Sequence, residues 1–272
     1  MGDERVLVED RGSTRWVRLN DPARRNAYDL QMAEQVALAM ESASESRAVV
    51  LTGVGRGFCA GGSLATLSAP TTRELRALYR ASLRMFDAIR SCPRPVIAAV
   101  NGAAAGGGNE LVVACDLAIA ARSATFGQTG PRVGSAPVTG ATNVMGVQIG
   151  EKRAKELSLL CRRYTAEDAL RLGLVNAVVD DDQLVAEADR WCAELAALSP
   201  RYLEISKISS NIWWNAARDS FSTGTGMLVQ AIGSPDMLEG AAAFLEKRPP
   251  SFALSEGPTP PHGDGLQGSG KS

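Results

Sequence analysis

The segment Val96–Asp116, VIAAVNGAAAGGGNELVVACD, constrains the chain more than any other. It opens on five apolar residues, Val96 to Val100, preceded by Pro93 and Pro95. A continuous, β-branched run of this kind predicts a short strand covered on both faces. Asn101-Gly102 turns the chain, and small residues lead into Gly106-Gly107-Gly108. Leu111, Val112 and Cys115 then return at helical spacing. The glycines therefore stand where a strand hands over to a helix N-terminus. Main-chain N–H groups there lack intrahelical partners, and the helix dipole favours negative charge. Glycine lets a ligand approach that main chain without a side chain in the way. Glu110 follows at once, the only carboxylate between Asp87 and Asp116. Anion-binding amides beside one carboxylate make a candidate catalytic centre. The alternative is structural: tight packing for the glycines and dipole complementarity for Glu110.

Composition removes several other chemistries. A formal net charge of −1 offers no basic excess for phosphates, which argues against a general nucleic-acid or membrane-surface binder. No apolar stretch reaches membrane-spanning length. MGDERVLVED is acidic and lacks the apolar centre of a signal peptide. The five cysteines, at 59, 92, 115, 161 and 192, include no CxxC pair. Reduced thiols and a cytoplasmic location are expected. The single histidine, His262, lies in a Gly/Pro/Ser-rich stretch. Triads, Cys-His pairs and His-based metal sites are therefore not expected.

Before the central segment, Val6–Glu9 and Arg15–Leu19 read as a hairpin around Arg11-Gly12-Ser13. NDPARRNAYD is a loop whose Arg24 and Arg25 are either a solvated turn or a phosphate clamp. A helix is expected over 30–43, a buried strand over 48–51, and then GVGRGFCAGGSL, residues 53–64. Two strands thus end in glycine clusters. An exposed loop at 65–71 and an amphipathic helix over 73–90 precede the central segment. After it come a strand over 117–120, a long loop over 126–140, helices over 152–160 and 166–172, and a last strand over 175–179. From Gln183 the pattern is helical, including 199–213 and 237–245, and beyond Phe252 the composition is that of disorder. The final GLQGSGKS, 265–272, spells a P-loop but has no strand before it or helix after it in the sequence, and is rejected as a phosphate site.

GRGFCAGGSL, PVIAAVNGAAAGGGNELVVACDLAIA, ATFGQTGPRVGS and RRYTAEDALRLGLVNAVV together resemble the crotonase, or enoyl-CoA hydratase/isomerase, family. The resemblance covers about 6–252. It implies an α/β fold, a spiral of ββα turns over 1–199, with a helical oligomerisation region over 200–252 and a disordered tail over 253–272. It further implies an acyl-CoA substrate, a homotrimer or homohexamer, and no tightly bound cofactor or metal. By position, the N–H groups of Gly62 and Gly107 become an oxyanion hole. Arg24, Arg25, Ala60 and Lys247 fall where CoA is held.

Of the two glutamates of the family's hydratases, Glu110 matches the first, and Gly130 occupies the place of the second. Ser63 stands where many members have Asp. FGQTGPRVGS, LLCRRYTAEDALRLGLVN and EKRPPSF resemble the 1,4-dihydroxy-2-naphthoyl-CoA synthases, in which bicarbonate replaces the base missing at the Gly130 position. Those enzymes lack a Glu at position 110, and their essential Asp falls on Pro137 here. FCAGG, GGGNE and GSAPVTGAT instead resemble hydrolases that open alicyclic β-ketoacyl-CoA rings. This branch is the expectation adopted. Glu110 is then the acid–base group, and Ser135 and Gln128 position the nucleophile, although Gln128 would equally serve as a loop brace. Ile205, Ile208, Ile212, Trp213 and Trp214 are expected at a subunit interface, with an intrachain core as the alternative.

Overall fold

A computed structural model describes residues 4–63 and 71–252. The apolar runs of the sequence become the strands of one six-stranded sheet. β1 (Val6–Arg11) and β2 (Thr14–Leu19) form the expected hairpin. β3 (Ala48–Gly53), β5 (Val96–Val100), β7 (Leu117–Ala121) and β10 (Ala177–Val179) follow in parallel, in the order β1-β2-β3-β5-β7-β10. A second sheet is stacked from short strands: β4 (Gly57–Cys59), β6 (Ala103–Ala105), β8 (Thr125–Gly127) and β9 (Arg163–Thr165). Each turn therefore contributes a long strand, then a short one, then a helix. This is the spiral that the resemblance implies.

Every residue of β5 is buried, and the period of two explains why. Val49, Leu51, Val96, Ala98 and Val100 point into a core shared with α1 (Leu30–Glu41) and α2 (Thr72–Ser91). Ala48, Val50, Ile97 and Ala99 point the other way, onto α7 (Leu184–Ala196). Local caps fix the helix starts. Asp29 accepts from Met32 N, and Thr71 with Glu74 forms a reciprocal capping box before α2. The other helices of this part are α3 (Gly107–Ala114), α4 (Met145–Ile149), α5 (Glu151–Leu160) and α6 (Ala166–Leu172).

The C-terminal part is α8 (Pro200–Ser210), α9 (Ile212–Ala216), α10 (Arg218–Gln230) and α11 (Pro235–Leu245). The single helix expected over 199–213 is broken at Asn211, whose amide donates to Arg90 O at 2.9 Å instead of facing water. Trp214 corrects a second expectation. It is 1% exposed inside its own chain, tilted against Phe221 and under Arg90, with its indole N–H donating to Asp87. Ile205, Ile208, Ile212 and Trp213 remain more than half exposed, as does Tyr202. The loop expected at 65–71 is described only at Thr71, the capping residue of α2, and the tail lies outside the described residues. Among the described residues, no helix is long and apolar enough to cross a membrane.

Candidate active site

The two glycine clusters meet. Gly106 caps α3 with φ at +53°, a left-handed conformation that a side chain would strain. Gly61 also has positive φ, and a Cβ on it would lie 2.9 Å from Ala105 O and 3.0 Å from Gly107 N. A Cβ on Gly108 would come within 2.0 Å of Cys59 O. The loops are thus in main-chain contact, and the spiral supplies that contact by pairing β4 with β6. Gly107 occupies the first turn of α3, where an N–H has no intrahelical acceptor. Gly62 N donates to no main-chain acceptor among the described residues. Two free N–H groups side by side suit an oxygen that gains negative charge.

Gly62, Gly107, Ala60, Glu110, Gln128, Gly130 and Ser135 all line one cavity. Glu110 is 6% exposed, and its Oε1 accepts from Thr139 N at 2.8 Å and Ala141 N at 3.3 Å. Its Oε2 accepts no hydrogen bond among the described residues. Burial pushes the carboxyl up to about 8, against the opposing pull of those two main-chain donors. A carboxyl of this kind exchanges protons near neutral pH. It is the only carboxyl group among the described residues lining the cavity.

Gln128 is fully buried, and neither Oε1 nor Nε2 has a hydrogen-bond partner among the described residues. It does not brace the loop; both halves of its amide are left for whatever enters. Ser135 N donates to Gly130 O, which folds the chain back on itself. That fold explains the missing second carboxylate. A Cβ at Gly130 would lie 2.9 Å from Ser135 O and 3.1 Å from Pro137 Cδ. The space for a side chain is already filled by main chain. An anion such as bicarbonate placed there would face a carbonyl oxygen, so the residues beside Gly130 do not fit it, and no step is derived through it.

The expected CoA-holding cations lie elsewhere. Arg24, Arg25 and Lys247 are not among the lining residues. Arg24 is paired with Asp21 at 2.7 Å, an acid that also takes Arg5. Arg25 is exposed, and its carbonyl accepts from Ala60 N, tying it to the edge of the cavity. Lys247 is exposed just after α11. Tyr28, Ser82 and Thr139 line the cavity without any sequence signal, and it is also lined by Thr225 and Leu228. The last two come from α10, so the C-terminal helices close the cavity of their own chain. Among the described residues, no group of His, Cys, Asp or Glu is placed to hold a metal ion.

Residues 9–254 match the family model described as Enoyl-CoA hydratase/isomerase. Among solved structures, an enoyl-CoA hydratase from Mycobacterium avium subsp. paratuberculosis K-10 is similar at 29% identity and a TM-score of 0.82, over 92% of this chain and 99% of that one. An enoyl-CoA hydratase/isomerase from Pseudoalteromonas atlantica T6c is 28% identical, with a TM-score of 0.81, over 92% and 100% of the two chains. An enoyl-CoA hydratase from Bacillus anthracis is 30% identical, with a TM-score of 0.74, over 92% and 99%.

Proposed function

Since the chain belongs to the enoyl-CoA hydratase/isomerase family, we propose that it binds an acyl-CoA thioester whose carbonyl oxygen meets the N–H groups of Gly62 and Gly107. An enolate formed there is stabilised by about 2.7–4 kcal/mol per donor. The reaction we favour is hydrolytic cleavage of a C–C bond in a cyclic β-ketoacyl-CoA. The observation that carries it is the solitary carboxyl of Glu110, raised to about 8 and accompanied by no second one among the described lining residues.

A ring-opening hydrolysis needs one such group, used twice. Glu110 takes a proton from water as the water oxygen adds to the ring ketone. The bond from that carbon to Cα then breaks, and its electron pair passes into the thioester enolate. Glu110 returns the proton to Cα, leaving a carboxylic acid on an opened acyl-CoA. Ser135 and Gln128 orient the water and the ring oxygen.

Hydration or isomerisation of an enoyl-CoA is the second reading, supported by the solved neighbours that bear those names. Incubation with a cyclic β-ketoacyl-CoA, followed by mass spectrometry, separates the two. The expected product is one water heavier and carries a new carboxylic acid. Water addition to an enoyl-CoA, with the cyclic ketone untouched, would replace the first reading by the second. Conversion of neither would leave an acyl-CoA-binding protein.

We also propose a homotrimer or homohexamer. Tyr202, Ile205 and Ile208 on α8 and Ile212 and Trp213 on α9 expose apolar side chains that a monomer would leave in water. Light scattering at micromolar concentration is expected to give a multiple of the chain mass, and a monomeric mass would contradict it.

A further inference from the structure

One polar side chain at the glycine loops has no role in the steps above. Tyr28 is 6% exposed and forms a single parallel bridge with Gly62. Its N–H donates to Gly61 O, and its carbonyl accepts from Ser63 N, both at 2.8 Å. The residue is thereby clamped along one glycine loop, while its side chain crosses to the other. A Cβ at Gly107 would lie 2.2 Å from the Tyr28 hydroxyl, and a Cβ at Gly62 would lie 3.8 Å from its ring. The phenol rests against both oxyanion residues.

The Ser82 hydroxyl lies within reach of the phenol, and its Oγ donates instead to Leu78 O at 2.8 Å. That carbonyl lies four residues back in α2, where the helix already supplies it with a main-chain donor. Ser82 can therefore turn its proton from Leu78 to Tyr28 without orphaning either group. Burial, and then the charge of Glu110, hold the phenol in its neutral, proton-bearing form; Cys59 and Tyr79, the other titratable neighbours, push the same way. A hydroxyl kept protonated beside two free N–H groups is equipped to donate.

We propose that the Tyr28 hydroxyl is a third hydrogen-bond donor to the thioester oxygen, with Ser82 donating to Tyr28 in turn. This rests on the acyl-CoA reading above. A hydrogen bond to an ionised oxygen is stronger than one to a neutral oxygen. Tyr28 therefore favours the enolate over the bound ester, which lowers the barrier and leaves binding almost unchanged.

The experiment uses acetoacetyl-CoA, a β-ketothioester whose enolate absorbs ultraviolet light where the ketone does not. Its ionisation is titrated while bound to wild type, Tyr28→Phe and Ser82→Ala. Wild type is expected to bind it and to ionise it at a lower pH than free solution does. Tyr28→Phe is expected to bind it comparably but to need about one pH unit more, a tenfold loss of enolate stabilisation. With a turned-over substrate, kcat should fall about tenfold at nearly constant KM. Ser82→Ala should move ionisation in the same direction by less. A Tyr28→Phe protein that ionises the ligand at the wild-type pH overturns the inference and leaves the proposed function standing. If Tyr28→Phe does not fold, Ser82→Ala decides, and an unshifted ionisation there overturns it. A wild type that does not bind the thioester overturns both.

Discussion

The two walls of the cavity are made differently. The wall at residues 60–62 and 106–108 is main chain against main chain, and three of its glycines could not carry a Cβ without a contact of 2.9 Å or less. The wall at 128–141 is a loop with one 3-10 turn and side chains; its Gln128 has no hydrogen-bond partner among the described residues, and its amides at 139 and 141 hold Glu110. In the function proposed above, the first wall fixes where a carbonyl oxygen sits, and the second determines what happens to the atoms beyond it.

The largest expected effect lies on Glu110, which belongs to a helix of the first wall but is held by amides of the second. Glu110→Gln keeps the acceptor for Thr139 and Ala141 but cannot exchange a proton. Single-turnover rates on a cyclic β-ketoacyl-CoA should fall about 10²–10⁴-fold, and added bicarbonate should restore nothing. A mutant as fast as wild type would leave the reaction without its base. For wild type, kcat/KM should rise with pH and level off above about 8, because the base must first lose its proton. Stability runs the opposite way. The folded state favours protonated Glu110, so wild type loses stability from its unfolded value near 4.5 up to about 8. Thermal melts of Glu110→Gln should show a growing advantage over that window.

Gly107→Ala tests the first wall. The new Cβ meets the Tyr28 hydroxyl at 2.2 Å and the ring at 2.8 Å, so the Tyr28 ring or the Gly107 main chain must shift. A loss of about 10²–10³ in kcat is expected, the cost of one oxyanion donor. Retained activity would mean that this amide does not bind the reacting oxygen. Gln128→Leu tests the second wall. Filling that space with apolar atoms removes a buried amide that has no hydrogen-bond partner among the described residues, so Tm should hold or rise while activity on an oxygenated ring falls about tenfold. Equal losses on oxygenated and plain acyl groups would show that Gln128 does not read the substrate. The smallest effect is expected outside both walls. Arg25→Ala with Lys247→Ala should raise KM severalfold at constant kcat, and Arg24→Ala should add little because Asp21 already holds it. An unchanged KM would move CoA elsewhere.

What could be read in advance followed from local rules. Val96–Val100 announced a doubly covered strand because no polar residue interrupts it, and Glu110 stood out because no other carboxylate is near. The strand Ala103–Ala105 was missed because alanine carries little strand preference; its neighbours in the second sheet decide it. Trp214 was misplaced because an apolar helix face does not say which protein covers it. Tyr28 gave no signal because its importance comes from a glycine 79 positions away in the sequence. The grip on Glu110 was equally invisible, since amides at 139 and 141 have no residue type.

Asp116, at the end of the segment where the sequence is most constrained, accepts from Val96 N and binds the Nζ of Lys207 on α8 at 2.7 Å. Lys207 also donates to the carbonyls of Ile89 and Arg94. The helices that bring Thr225 and Leu228 over the cavity are thus moored to the sheet at a point separate from the reacting groups. A lineage that keeps this mooring can redraw the roof above the acyl group while inheriting its chemistry unaltered. Under the function proposed above, substrate range and reaction become separately heritable traits.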